Sequence, residues 1–464
     1  MTAALRRSAG AAPVRIVHLG LGAFARAHSA AYTEHANQAS PGDEWGIAGF
    51  TGRTAAAADR LSTQDGLYHV LTRAADGDAV ELITALVSAQ DGARSDALTA
   101  AIAAPDTSLV TITVTEAGYH LGRDGRLDRD SDVIAADTVR LKQLLGSAVL
   151  DGPGPSSMPG RMVLGLEQRR RSHGGGLAIV PCDNLNGNGL AIQGVLTELA
   201  GDVAPELRDW IDSTVTFVST SVDRVTPATT PADLDTVATL TGYRDAAPAV
   251  TEPFSDWILS GRFPAGRPRW EAAGARFVDD IAPFEQRKLW HLNGAHSLLA
   301  YAGRLAGHDT VAQAVLDPRL RRWVEQLWDE AGAALAGNPG LELEQYRAQV
   351  MQRFENPRIE HRLVQIAVDG SVKLRQRALP VLRAARERGA DGSAAVGVVA
   401  AWVGWILNGA DPVVDPAGRA LDDAGRRASR QNPAPLLAIL DADLADDAAA
   451  VAQVRAALDE MEHP

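Results

Sequence analysis

Lysine is scarce in this chain. Of its 45 basic residues only Lys142, Lys288 and Lys373 are lysines, and the rest are arginines. A buried lysine can give up its proton and act as a base, whereas a guanidinium stays charged. Lys288 lies in FEQRKLWHLNGAHS, residues 284–297. At about 100° per residue, Glu285, Lys288 and His296 fall on one arc of a helix, with Asn293 at its margin. An acid, an amine, an amide and an imidazole converging over two to three turns suit acid–base catalysis. A surface helix with a Glu–Lys pair three residues apart shows part of the same pattern. Phe284, Leu289, Trp290, Leu292 and Leu298 on the same stretch argue against a freely exposed helix. On residue types alone both readings stay open.

A second group lies near the start. VRIVHLGLGAFARAH, from Val14, runs a β-branched strand into Gly20-Leu21-Gly22-Ala23-Phe24-Ala25. This is G-x-G-x-x-A between a strand and a helix. Gly20 can make the tight turn, Gly22 lets the backbone approach a pyrophosphate, and the small Ala25 lets helix and strand pack closely. Phe24, inside the motif, is expected at the cofactor with them. The motif alone also fits a plain strand–turn–helix. The next strand should end in an acid that binds the adenosine ribose, but AGFTGRT has none. Arg53 stands where a 2′-phosphate would be met, which suggests NADP. A solvated arginine, with the ribose held by backbone groups, suits NAD. The cofactor expected is NAD, with NADP as the alternative.

Two polar clusters follow later strands. PCDNLNGNG (181–189) sets Asp183 and Asn184 just beyond a strand at 177–180, and SVDRVTP (221–227) sets Asp223 at the end of a strand at 213–222. Ligands bind outside the carboxyl ends of strands in open α/β sheets. Turn chemistry is the plain alternative, more so for Asn186 to Gly189 than for Asn184.

The elements that must position these residues change character along the chain. Strand patterns at 14–20, 45–50, 79–89, 108–119, 176–184 and 213–225 alternate with helical ones at 24–38, 54–62 and 132–146, with a Pro/Gly loop at 151–160. That alternation predicts a doubly wound, Rossmann-type α/β sheet. From Pro283 the pattern is helical, with candidates at 283–307, 309–316, 318–336, 342–355, 372–388, 393–408 and 444–460. Two domains follow, 1–280 α/β and 281–464 mainly α-helical. The net charge of −13 argues against nucleic acid or an anionic membrane as partner. The single cysteine, Cys182, rules out an intrachain disulfide and a cysteine zinc site. No stretch approaches the roughly 20 apolar residues of a membrane span, and the N-terminus lacks a secretory h-region. A cytoplasmic location is expected.

Taken in order, GLGAFARAH (20–28), QDGLYHVL (64–71), TVTEAGY (113–119), PCDNLNGNG, SVDRVTP, KLWHLNGAHS (288–297) and DGSVKLRQR (369–377) resemble the polyol-specific long-chain dehydrogenases, the mannitol dehydrogenase family. The resemblance covers most of the chain, and K-x4-N-x2-H together with C-D-N-L is its most specific part. It implies a metal-independent NAD(P) oxidoreductase acting on a sugar alcohol, an aldonate or the matching keto-sugar. It implies Lys288 as general base, Asn184 and Asn293 holding the reacting oxygen, and His296 orienting substrate. Glu285 would aid proton exchange with solvent, and Asp223 would be a substrate-site acid. Asp183, beside Asn184, is expected at the cofactor. HRLVQIAVDGSVKLRQR (361–377) looks more like the fructuronate reductases than the mannitol enzymes. Val364 and Gln365 stand where the mannitol branch would carry an arginine, and Arg362, Lys373 and Arg377 are cations for a sugar carboxylate. Each of the three also reads as a surface charge. The expected partner is a small sugar acid or polyol, bound by a monomer or small homo-oligomer. The best expectation is D-mannonate/D-fructuronate interconversion. Mannitol or arabinitol oxidation is the alternative, and a dinucleotide-binding sensor without turnover is the rival from another class.

Overall fold

The computed structural model describes residues 3–52, 54–172 and 174–462. Arg53, expected near the adenosine ribose, lies outside them. The chain forms two compact units, Met1–Ile281 and Ala282–Pro464.

The first unit is organised by six strands: β1 (Val14–Leu19), β2 (Gly46–Phe50), β3 (Leu86–Gln90), β4 (Leu109–Ile112), β5 (Leu177–Pro181) and β6 (Val215–Phe217). All neighbours are parallel, in the order β3-β2-β1-β4-β5-β6. This is the doubly wound Rossmann order, with its switch point between β1 and β4. Both faces are covered, so the strands are apolar on both sides rather than alternating with polar residues. Val17, Leu19, Val110, Ile112 and Ile179 face one core with the helices at Ser95–Ala103, Asp132–Leu145, Met158–Ser172 and Asn188–Val203. Ile16, Ala178 and Val180 face the other, with Ala30 and Tyr32 of Ser29–Ala39 and with Trp257 and Trp270. His18 is the buried polar residue within β1. Its Nδ1 lies 2.8 Å from the Thr111 hydroxyl, and burial lowers its pKa to about 4, so it is neutral.

Two expected strands are each divided. Residues 79–89 form Gly77–Ile83, which pairs antiparallel with Tyr68–Ala74, and then β3 in the main sheet. The buried Glu34 carboxylate accepts from the Thr84 and Ala85 N–H groups, each at 2.7 Å, and takes the chain out of the first ladder. Residues 213–225 divide at Val218. Val215–Phe217 stays in the main sheet, and Ser219–Asp223 joins a separate sheet, antiparallel to Asp256–Ser260. Residues 151–160 are not all loop, because a helix begins at Met158. Its entry is fixed by Asp137, which accepts from the Ser156 and Ser157 N–H groups at 2.8 Å.

The second unit is built of helices around two that are buried along most of their length, Gly294–Leu305 and Ser393–Asn408. Among the described residues no helix is long and apolar enough to cross a membrane. The expected helix 283–307 is wound in three pieces: α over Ala282–Arg287, π over Lys288–Asn293, and α again from Gly294. The expected helix 372–388 is two, Gly370–Arg377 and Leu379–Glu387. Pro380, in the first turn of the second, has no N–H to continue the ladder.

Candidate active site

In the first unit a cavity of about 1110 Å³ opens over the β1 turn. Gly20 has φ +100°, and a Cβ there would lie 1.9 Å from the Thr113 carbonyl oxygen on the neighbouring chain segment. Only glycine fits. Its N–H and that of Leu21 both donate to the Phe50 carbonyl, at 2.8 and 2.9 Å, which draws the ends of β1 and β2 together. Gly22 differs: a Cβ there would meet nothing closer than 3.8 Å, so its missing side chain leaves open space. Both glycines line the cavity, as do Thr113, Val114 and Thr115 after β4. Arg26, also lining it, is buried. Its guanidinium donates to the Gly22 carbonyl at 3.3 Å and to the Ala247 carbonyl, tying the turn to the opposite wall. A glycine turn that excludes a side chain at one position and leaves space at the next fits a dinucleotide pyrophosphate.

Ala25 is buried beneath the turn, not in the cavity lining. Phe24 packs on the core, stacked on His28 with ring centroids 4.9 Å apart. Asp183, expected at the cofactor, is turned inward. Its carboxylate accepts from the Tyr119 hydroxyl, from the Leu185 N–H at 3.2 Å and from the Asn188 amide at 3.5 Å. Burial raises its pKa to about 6 against these hydrogen bonds. Asp183 therefore braces the turn that carries Asn184, which is exposed just past the carboxyl end of β5. Asp223 is buried opposite Asp256, whose carboxylate accepts from Arg276 at 2.8 Å. It ends a strand of a small mixed sheet, not of the main parallel one, because the chain leaves the main sheet at Val218.

In the second unit Glu285, Lys288 and Asn293 are all half-buried and His296 is buried. At α-helical pitch Lys288 and Asn293 would lie about 140° apart. The π-helix between them bonds i to i+5, as in the Gly294 N–H to the Leu289 carbonyl. The wider turn brings residues five apart closer in direction than α pitch does. The amide expected at the margin of the arc is thus wound towards the lysine. The other side of this segment is core: Trp328 donates to the His291 carbonyl at 2.8 Å, and Arg287 lies 4.1 Å over the Tyr346 ring.

His296 sits between the Phe354 ring, 4.8 Å away, and the His361 ring, 5.0 Å away. Its pKa is driven well below 6.5 by burial first, then by His361, Arg353, Arg377 and Lys373. The imidazole is neutral at pH 7 and set among cations. Arg377 also donates to the Ser297 hydroxyl at 3.1 Å and the Asn293 carbonyl at 3.4 Å, and Lys373 to the Ile366 carbonyl at 3.1 Å. Two of the three expected cations therefore gather here. Arg362 is exposed and bridged through its backbone to Thr310. Arg353 and His361 take its place, neither of them expected from sequence. Their only signal was position: His361 precedes Arg362, and Arg353 lies in the last turn of the helix Leu343–Phe354. Among the described residues no group of three or more His, Cys, Asp or Glu side chains converges as a metal site would.

A glycine-turn cavity on a doubly wound sheet, followed by a helical unit presenting a lysine, an amide and a neutral imidazole, is the layout of a nicotinamide-type dehydrogenase. Comparison with known proteins agrees. Residues 14–272 match the mannitol dehydrogenase Rossmann domain and residues 280–462 the mannitol dehydrogenase C-terminal domain. D-mannonate oxidoreductase of Escherichia coli K12 is 36% identical over 418 residues, 88% of this chain and 82% of that protein. Mannitol 2-dehydrogenase of Aspergillus terreus is 34% identical over 437 residues, 91% and 85% of the two chains. Pseudomonas fluorescens mannitol 2-dehydrogenase, solved as a ternary complex with NAD and D-mannitol, superposes with a TM-score of 0.80 at 29% identity, covering 97% of this chain and 92% of that one. The chain belongs to the mannitol dehydrogenase family. It is an oxidoreductase of secondary alcohols, acting on polyols or aldonates.

Proposed function

We propose that the chain interconverts D-mannonate and D-fructuronate with a nicotinamide dinucleotide, Lys288 serving as the base. The observation that carries the substrate choice is the set of Arg353, Arg377 and Lys373 about His296, which also packs on the His361 ring. Permanent cations beside a buried, neutral imidazole suit a substrate that is a carboxylate at one end and a row of hydroxyls along the rest. The identity with the Escherichia coli D-mannonate oxidoreductase supports the same choice.

When bound, the dinucleotide supplies or accepts the hydride. The residues handle the proton and the oxygen. In the oxidative direction Lys288, in its neutral form, takes the hydroxyl proton as the hydride leaves. Asn184 and Asn293 donate N–H groups to the alkoxide as it forms. His296, uncharged, offers one donor and one acceptor and so fixes a substrate hydroxyl without adding charge. Glu285, one turn before Lys288, passes the proton on to solvent. Asp223 holds a hydroxyl of the substrate.

The test is oxidation of NADH and NADPH, followed by absorbance, against fructuronate, tagaturonate, fructose and xylulose. Turnover with fructuronate well above the neutral ketoses is expected. Turnover confined to fructose or xylulose would replace the uronate reading with a polyol one. Dinucleotide binding with no turnover of any of the four would point to a sensor.

A further inference from the structure

We infer that the first-unit cavity is built for the 2′-phosphorylated dinucleotide, NADP(H), with Arg161 and Arg60 meeting the phosphate. This rests on the dinucleotide reading of that cavity. Beside Gly20 and Gly22, which suit the pyrophosphate, the end of β2 marks where the adenosine ribose would lie. There the wall is made by Thr51, Gly52, Thr54, Arg60, Ser156 and Arg161. In a cavity that takes unphosphorylated NAD, a carboxylate at this place accepts from the ribose 2′-hydroxyl. Among the described residues lining the cavity there is no aspartate or glutamate, while three are arginines.

The nearby carboxylates are turned to other work. Asp91 accepts from the Ala93 N–H at 3.0 Å and the Thr51 hydroxyl at 3.5 Å. Asp137 accepts from the Ser156 and Ser157 N–H groups. Arg161 is held across the strand end, donating from NH1 to the Gly52 carbonyl at 3.2 Å and from Nε to the Pro155 carbonyl at 3.5 Å. Its planar fork has five N–H donors, so the pose keeps others for a phosphate. Burial lowers its pKa against the pull of Asp137 and Asp91. A dianion beside it offsets that same desolvation. Arg60, on the helix Ala56–Ser62, is exposed and adds a second cation at this end. The Pseudomonas fluorescens enzyme was solved with NAD, so adenosine-end recognition is where the two proteins would part.

Calorimetric titration of the purified chain with NADPH, NADH, 2′,5′-ADP and ADP tests this. NADPH should bind at least about tenfold tighter than NADH, and 2′,5′-ADP tighter than ADP. Arg161→Gln and Arg60→Gln should each move the NADPH-to-NADH ratio towards one, and Arg161→Lys should retain part of it. The exposed Arg60 keeps the test independent of folding at Arg161. NADH binding as tightly as NADPH, with a ratio that neither variant moves, would overturn the inference. Failure of both dinucleotides to bind would overturn the cofactor reading of the cavity, and this with it.

Discussion

The proposed base, Lys288, must lose its charge to work, which an arginine in its place could not do. Lys288→Arg should cut kcat about as deeply as Lys288→Ala, by roughly 10²–10⁴-fold, with dinucleotide binding retained. Steady-state kinetics beside a fluorescence titration checks both halves, and near-normal turnover in Lys288→Arg would refute the assignment. The groups about His296 should divide by substrate. Arg353→Gln and His361→Asn should raise KM for fructuronate about tenfold and leave KM for fructose nearly unchanged. Equal changes for both substrates would mean that the two residues only maintain the fold. Glu285 and Lys288 could be singled out by residue type and their spacing of three. The directions reckoned at α pitch for Asn293 and His296 do not carry through the π turn between them and Lys288, and nothing in KLWHLN announces that winding. Arg353 and His361 were not legible as neighbours of His296, since packing between helices and not spacing along one brings them together.

At the scale of elements, the two glycines of the β1 turn have different work and should fail differently. Gly20→Ala combines a left-handed φ with a Cβ 1.9 Å from a backbone oxygen. It should cost at least about 1–3 kcal/mol of stability and abolish dinucleotide binding. Gly22→Ala has room and should melt within a degree or two of the parent, yet bind dinucleotide more weakly because the new methyl stands in the ligand's approach. Thermal melts paired with calorimetry separate the two, and a destabilised Gly22→Ala would show that the position is structural. The strand–helix alternation was readable because a buried parallel sheet writes itself as β-branched runs. Where those runs break was not, because the breaks at Thr84 and Val218 are set by Glu34 and by a second sheet, side chains and strands far off in sequence.

For the whole molecule, the histidines set a limit on the acid side. His18 and His291 are buried and neutral, with pKa values lowered to about 4 and about 3, and His296 and His361 are lowered too. A histidine whose folded pKa lies below its unfolded 6.5 contributes fully above 6.5 and loses that contribution as pH falls towards the folded value. His18 alone accounts for about 3 kcal/mol across that window. Asp183, raised to about 6, works in the opposite sense between about 4 and 6. So does His35, whose pKa the Glu81 carboxylate raises, at higher pH; four lowered imidazoles outweigh them. Tm should therefore fall steadily from about pH 7 to pH 5, and His18→Asn should flatten part of that slope if the fold tolerates it. A level Tm over the range would remove the histidines as its cause. One contact bears on the order of synthesis. The guanidinium of Arg26, at the glycine turn, is satisfied by the carbonyl of Ala247, 221 residues further on. On a ribosome adding about 5–20 residues per second, that partner emerges roughly 10–45 s later. The nucleotide turn is translated well before the segment that secures it, so a nascent chain ending short of Ala247 should show no affinity for the dinucleotide.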